Sequence, residues 1–391
     1  MFNSLAQELA ELEQQALRRR LQVVQQFLPG GKVQVDGRVL LNLSSNDYLG
    51  LAQDSRLVAA AQAAAARWGV GAGASRLVAG HLELHAGTEA QLAAFKGAEA
   101  AVIFSAGYMA NVGTIAALAG PGDTVYCDRL NHASIYDGIK LSGAALARYP
   151  HRDMARLEAL LRQGPAKGRR LIVTDSVFSV DGDLAPLNEL VALKERYGAW
   201  LMIDEAHATG VFGARAAGLA EAQGVAQRVD IHMGTFSKAL GSLGGYVAGD
   251  RQLIDYLHNR ARAFIYSTAL SPPVLGAIAA ALQAVAQEPW RGAALLAQAQ
   301  RFRQFLEAAG LDTLGSESQI VPVLVGDNAR TLAFAAALRD AGFMAVALRP
   351  PTVPPGKARV RFSLSAAHSP QDLEEAVATI ISLARKAGLA S

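Results

Sequence analysis

One cysteine, Cys127, is all that the 391 residues contain. That excludes an internal disulfide framework and any zinc site built on several thiolates, and makes a reducing compartment such as the cytoplasm the expected setting. Long apolar runs are missing too. The most hydrophobic stretches are alanine-rich or broken by glycine, and none reaches ~18 residues without a polar interruption, so no bilayer span is expected. From Met1 to Leu28 the acids Glu8, Glu11 and Glu13 sit among apolar residues at helical spacing, which predicts a surface helix rather than a secretory leader. Charge of one sign is also lacking: 37 basic and 34 acidic side chains leave a formal +3. No basic block is longer than Arg18-Arg19-Arg20, so no nucleic-acid partner is expected.

What is present is apolar bulk. Hydrophobic residues make up 51% of the chain and charged ones 18%, enough for one large core and a smaller one, since single cores seldom outgrow ~250–300 residues. Short β-rich runs at 101–104, 124–127, 171–174, 200–203, 230–233 and 246–248 alternate with helical patterns. Continuous apolar strands separated by helices predict an α/β domain with a mostly parallel sheet covered on both faces. Past residue 310 the runs 320–325, 344–348 and 359–363, with helical patterns at 331–341 and 370–387, predict a small α+β unit. The expected division is an N-terminal helix and extended segment over 1–50, a large domain over 51–290 and a small C-terminal domain over 291–391.

The runs of the large domain end in polar or glycine residues, and ligands of open α/β sheets sit beyond the carboxyl ends of the strands. Asp204 and His207 follow one run; Thr235 and Lys238 follow the next. A carboxylate and a lysine at adjacent strand ends can meet in one cleft. Pyridoxal phosphate needs that pair, the lysine to form an imine and the acid to keep the pyridine nitrogen protonated as an electron sink. Taken singly, Asp204 reads as a helix N-cap and Lys238 as a solvated lysine; the pair is the informative unit. His132 follows another strand end, where its ring suits the face of a cationic pyridinium, although a lone histidine is as readily a cap or a core residue. Ser105-Ala106-Gly107-Tyr108 runs from a strand into a helix whose N-terminus favours an anion. Gly107 and Tyr108 are therefore the expected phosphate cradle, with Thr235 reaching the same group, and a plain strand-to-helix turn is the alternative. The glycines of 69–76 do not make a dinucleotide loop, because no β-run leads in and Ser75 stands where a third glycine is needed. No metal is expected.

Five ordered motifs are present: Ser44-Ser45-Asn46-Asp47-Tyr48-Leu49-Gly50, Asn131-His132-Ala133-Ser134, Ser179-Val180-Asp181-Gly182-Asp183, Asp204-Glu205-Ala206-His207 and Thr235-Phe236-Ser237-Lys238. Over nearly the whole chain they resemble the fold-type I pyridoxal-phosphate enzymes and, among them, the α-oxoamine synthases. The resemblance implies a large, mostly parallel seven-stranded sheet domain with helices on both faces plus a small α+β C-terminal domain. It implies Lys238 as the cofactor lysine, Asp204 at the pyridine nitrogen, His207 at the phenolic oxygen, His132 on the ring face and Ser179 close by. It also implies a homodimer, in which Ser267 and Thr268 come from the neighbouring subunit.

Finer patterns, Ala16-Leu17-Arg18-Arg19-Arg20, Phe264-Ile265-Tyr266-Ser267-Thr268 and Arg349-Pro350-Pro351-Thr352-Val353-Pro354, resemble the biotin-pathway branch of that family. That branch joins L-alanine to a pimeloyl thioester with loss of carbon dioxide. The resemblance implies substrate contacts from Arg18, Asn46, His132, Arg349 and Thr352. The planar fork of Arg349 suits the amino-acid carboxylate; Arg18 at the acyl substrate is implied by the resemblance alone. A surface arginine beside a Pro-Pro turn and a solvated basic helix end are the plain readings of the two. A glycine-plus-acetyl-thioester ligase of the same family and a non-catalytic cofactor-binding regulator stay open. So does the acyl carrier, coenzyme A or acyl carrier protein.

Overall fold

The structure is a computed structural model that describes residues 3–164 and 167–390. The chain divides into two compact units, one of Leu49–Phe178 with Leu184–Ala293 and one of Met1–Tyr48, Ser179–Asp183 and Ala294–Ser391.

The first unit holds a seven-stranded sheet in the order Ala100–Phe104, Gly245–Gly249, Ile231–Thr235, Trp200–Asp204, Arg170–Asp175, Thr124–Asp128, Ala145–Tyr149. Gly245–Gly249 runs antiparallel to both its neighbours, and the remaining pairings are parallel. Six strands therefore point their carboxyl ends to one edge. Thr124–Asp128, Ile231–Thr235 and Gly245–Gly249 are buried at every position, as a sheet covered on both faces requires. Val102, Val125, Val173, Met202, Met233 and Val247 pack with Ile115, Ile135 and Ile139 from helices Gly107–Leu118 and Ala133–Ser142. Each such side chain contributes ~1.5–3 kcal/mol on burial. The strand missing from the sequence reading, Ala145–Tyr149, is one of the two sheet edges, where only Tyr149 is buried; the other edge, Ala100–Phe104, is buried at four of its five positions. The residues of Ala145–Tyr149 never needed the apolar continuity that marks the others.

The second unit contains two small sheets. One orders Gln26–Leu28, Lys32–Val35, Arg38–Asn42 and Phe343–Met344; the other orders Ile320–Gly326, Ala358–Ser363 and Val346–Leu348. The single run expected over 344–348 is thus two strands, one paired to Leu41 and Asn42 and the other to Arg359, Val360 and Arg361. The helix expected over the first 28 residues is Asn3–Gln14. Ala16 takes a φ of 54°, and the Leu17 and Arg18 N–H groups both bond back to the Leu12 carbonyl. Arg18, Arg19 and Arg20 therefore follow the helix rather than complementing its last turn. Among the described residues no helix is long and apolar enough to cross a membrane.

His368 of the second unit is buried, accepting the Ser365 N–H at Nδ1 and donating from Nε2 to the Asn42 carbonyl at 3.2 Å. Burial pushes its pKa down to about 4. His85 of the first unit is pushed down to about 4 as well, by burial and then by the Arg76 cation. The unfolded chain takes up these protons near the ordinary ~6.5, whereas the fold holds the neutral rings. Stability present above that pH is consequently lost as pH falls toward 4. Thermal unfolding is expected to move to lower temperature over that window, and His368→Asn to lessen the slope. A Tm independent of pH there would contradict the assignment.

Candidate functional site

The sheet's carboxyl edge in the first unit gathers the titratable groups. Lys238 follows strand Ile231–Thr235, and its Nζ lies 2.7 Å from Nε2 of His207, which follows the adjacent strand Trp200–Asp204. An amine and an imidazole at that distance share a hydrogen bond through which a proton can pass. Asp204 is buried at the strand end. Its Oδ1 accepts the Ala206 N–H at 2.9 Å and its Oδ2 accepts Asn111 Nδ2 at 2.8 Å, so two donors set the plane of the carboxylate. The same Asn111 nitrogen donates to Ser134 Oγ at 2.9 Å.

His132 is the N-cap of helix Ala133–Ser142. Its backbone N–H donates to Asp175 Oδ2 at 3.0 Å, and its Nδ1 lies 2.7 Å from Ser134 Oγ. The plain capping reading therefore holds, and the same ring also stands edge-on to Tyr108 with centroids 6.5 Å apart. Burial pushes the His132 ring below its ordinary range, the Asp204 charge opposing and the Lys238 charge adding to the effect. Asp175 is pushed well up, by burial first and by the Asp204 charge next. His132 and Asp175 both sense Asp204 and Lys238, which places the four groups in one electrostatic neighbourhood.

Gly107 opens helix Gly107–Leu118. A Cβ there would meet Cβ and Oγ1 of Thr235 at 3.4 Å, so the helix N-terminus and the strand end that leads to Lys238 are in contact range. Thr235 Oγ1 donates to the Gly244 carbonyl at 2.6 Å and lies 2.7 Å from Ser237 Oγ. Tyr108 is 47% exposed and its hydroxyl bonds Asp137. In this chain Thr268 pairs with Ser75, and its carbonyl accepts from Ser105 Oγ at 3.3 Å; Ser267 precedes it. The glycine loop that ends at Arg76 is tied by a buried ion pair, Arg76 Nη2 to Glu89 Oε2 at 2.7 Å.

In the second unit, Arg361 joins two of the expected residues, donating to the Ser179 carbonyl at 2.8 Å and to Asn46 Oδ1 at 3.4 Å. Arg349 is half-buried rather than a free surface residue, and its Nη1 donates to the Ala16 carbonyl. Its pKa is lowered by burial and by Arg19, which itself donates to Thr352 Oγ1 at 3.3 Å. Arg18 pairs with Glu13 at 3.4 Å.

Asp175, Asn111 and Arg361 were not among the expected site residues. Asp175 stands in register with Asp204 on the next strand, a strand-end alignment that could have drawn attention to it. Asn111 lies one helical turn beyond Gly107, on the face that Gly107 presents.

The first unit's donor set fits a pyridine ring carrying an aldehyde and a phosphate. It offers an amine, a carboxylate held in plane, an imidazole against the amine, and a helix N-terminus flanked by hydroxyls. Among the described residues no group of His, Cys, Asp or Glu could hold a metal ion.

The family model for class I and II aminotransferases matches residues 38–380. An 8-amino-7-oxononanoate synthase from Geobacter metallireducens is 51% identical over 393 residues, covering 100% of both chains. Among solved structures, serine palmitoyltransferase from S. paucimobilis with bound pyridoxal phosphate and myriocin superposes with a TM-score of 0.94 at 31% identity, over 99% of this chain and 98% of that one. The 8-amino-7-oxononanoate synthase of Francisella tularensis superposes with a TM-score of 0.77 at 26% identity, over 89% and 98%.

Proposed function

The chain belongs to the class I and II aminotransferase family and, within it, to the 8-amino-7-oxononanoate synthases, pyridoxal-phosphate-dependent acyltransferases of biotin biosynthesis; from that premise we propose that it joins L-alanine to a pimeloyl thioester. The products are 8-amino-7-oxononanoate, carbon dioxide and the free thiol carrier, coenzyme A or acyl carrier protein. The observation that carries this reading is the contact of Lys238 with His207 beside the braced carboxylate of Asp204.

Lys238 would hold the cofactor, Asp204 its ring nitrogen and His207 its phenolic oxygen. Gly107, Tyr108 and Thr235 would hold the phosphate, with Ser179 close by and Ser267 and Thr268 serving a second copy of the chain in a homodimer. When bound, pyridoxal phosphate supplies a protonated ring that takes up the electron pair left at the α-carbon. Lys238 Nζ is the base that takes the α-proton and later returns one, with His207 sharing its hydrogen bond at 2.7 Å. Asp204 keeps a proton at the ring nitrogen, and the Asn111 and Ala206 donors stop the carboxylate from turning away. His132, held neutral chiefly by burial, offers an uncharged plane to a cationic ring.

Arg349 pairs with the alanine carboxylate, and Arg18, Asn46, His132 and Thr352 complete the substrate contacts. Nη1 of Arg349 is held by the Ala16 carbonyl while its Nε has no hydrogen-bond partner among the described residues, so the fork can receive that carboxylate beside the Ala16 bond. Arg349→Lys is expected to weaken alanine binding about ten- to a hundredfold, because a point charge replacing the bidentate fork forfeits ~1–3 kcal/mol. Cofactor affinity should stay close to that of the parent. Equal losses in alanine and cofactor affinity would remove Arg349 from this role.

The reading is tested by product mass and rate when L-alanine competes with glycine, and a pimeloyl with an acetyl thioester. Alanine and the pimeloyl thioester should give the higher kcat/KM. A preference for glycine with the acetyl thioester would make the chain a 2-amino-3-ketobutyrate ligase, and no product from any pair would favour a non-catalytic binder of the cofactor.

A further inference from the structure

Directly after Asp204 comes a second carboxylate, and it serves the interior rather than the cleft. Glu205 is fully buried. Its Oε2 lies 2.5 Å from Nζ of Lys96, the last residue of helix Glu83–Lys96, and its Oε1 accepts the Ala220 N–H at 3.0 Å. Lys96 also donates to the Ala217 carbonyl. His232 of strand Ile231–Thr235 stands 3.6 Å from the same carboxylate oxygen. From strand Gly245–Gly249 the Tyr246 hydroxyl faces Lys96 and lies 2.7 Å from Thr209 Oγ1. At Gly218, φ is 138° and any Cβ would intrude on the Glu205 carboxylate, so the close approach itself demands glycine. The Glu205 backbone is tied as well. Its N–H donates to the Met233 carbonyl at 2.7 Å, and its carbonyl accepts from Ala208 and Thr209 at 2.9 Å.

Burial would drive Lys96 and Glu205 toward their neutral forms, yet their mutual attraction outweighs it. Lys96 is raised, and Glu205 is drawn down to about 2. Both are charged at neutral pH. A buried ion pair is a poor source of stability compared with an apolar pair of the same size, so stability alone does not account for it. What the pair does accomplish is visible in the chain: Asp204 and His207 flank a residue anchored to two helices and to the strand that leads to Lys238.

We propose that Lys96 and Glu205 are positioning residues for the reaction: the pair locks the 204–207 turn so that Asp204 and His207 hold their orientation toward the cofactor and Lys238, and Lys96 cancels the Glu205 charge beside Asp204. The proposal rests on the reading that pyridoxal phosphate binds at Lys238.

Full-length protein loaded with pyridoxal phosphate tests it, through the pH midpoint of the visible band of the lysine-bound cofactor together with kcat and KM. E205Q leaves the Lys96 cation uncompensated and is expected to lower the midpoint by about half a pH unit, and K96M, leaving the carboxylate, to raise it by a similar amount. The double variant K96M/E205Q should return to the parent midpoint while kcat stays down about tenfold or more with KM for alanine little changed, because the anchor is gone. Unmoved midpoints with parent-like kcat would overturn the proposal. Shifts of the single variants in one common direction would do the same, since a merely loosened fold has no reason to distinguish the two charges. If either single variant does not fold, the double variant decides: a parent-like kcat overturns the proposal, and the tenfold loss at parent-like Tm supports it. A parent protein with no cofactor band at Lys238 would refute the underlying reading, whereas a normal parent band with indifferent variants overturns this inference alone.

Discussion

Lys238→Ala should lower turnover by about a thousandfold or more, since it removes at once the amine that holds the cofactor and the base that takes the α-proton. The visible band of lysine-bound cofactor should vanish on dialysis, while the fold survives. Lys238 is half-buried, and its Nζ shares a hydrogen bond with His207 at 2.7 Å. Losing a hydrogen bond of this kind typically costs ~1 kcal/mol. Activity within tenfold of the parent, or a persistent band, would remove Lys238 from its assigned role.

Asp204→Asn is expected to retain much of the cofactor and still lose about a hundred- to ten-thousandfold in kcat. The amide is nearly isosteric, but it is neutral and cannot keep a proton on the ring nitrogen. It also disturbs its own supports. Both carboxylate oxygens accept from donors, Ala206 N–H and Asn111 Nδ2, so an amide NH2 would face a donor on one side. Setting two donors against each other costs ~1–3 kcal/mol where burial excludes water. Turning the Asn111 amide would relieve that clash and place the loss in catalysis rather than in stability. A near-normal kcat would contradict the role given to Asp204.

How far these features could be read from the sequence depends on the range of the interaction behind them. Six of the seven large-sheet strands were legible because strands buried on both faces must be continuously apolar. Ala145–Tyr149 was not, because only one of its five residues is buried and the others bear no such demand. That Asp204 and Lys238 share one electrostatic neighbourhood could be anticipated because they follow neighbouring parallel strands. Their supports could not. Asn111 reaches Asp204 across 93 positions of sequence and Lys96 reaches Glu205 across 109, and no local pattern encodes a partner that distant. The same holds for Ser179–Asp183, which joins the second unit although its neighbours on both sides belong to the first. Arg361 meets Ser179 there across 182 positions. The end of the first helix at Gln14 was missed for a different reason. Ala16 breaks it through a positive φ, a conformation alanine seldom takes and no sequence rule assigns to it.

The central claim is that this chain performs its chemistry at one lysine, among the side chains gathered at the sheet's carboxyl edge. Borohydride reduction of the protein loaded with pyridoxal phosphate fixes the cofactor to whichever lysine holds it, and peptide mapping by mass spectrometry then locates the label. A single labelled peptide carrying the modification on Lys238 is expected, with the label lost when L-alanine is added before reduction. A label on any other lysine, or one that L-alanine does not displace, would contradict the claim.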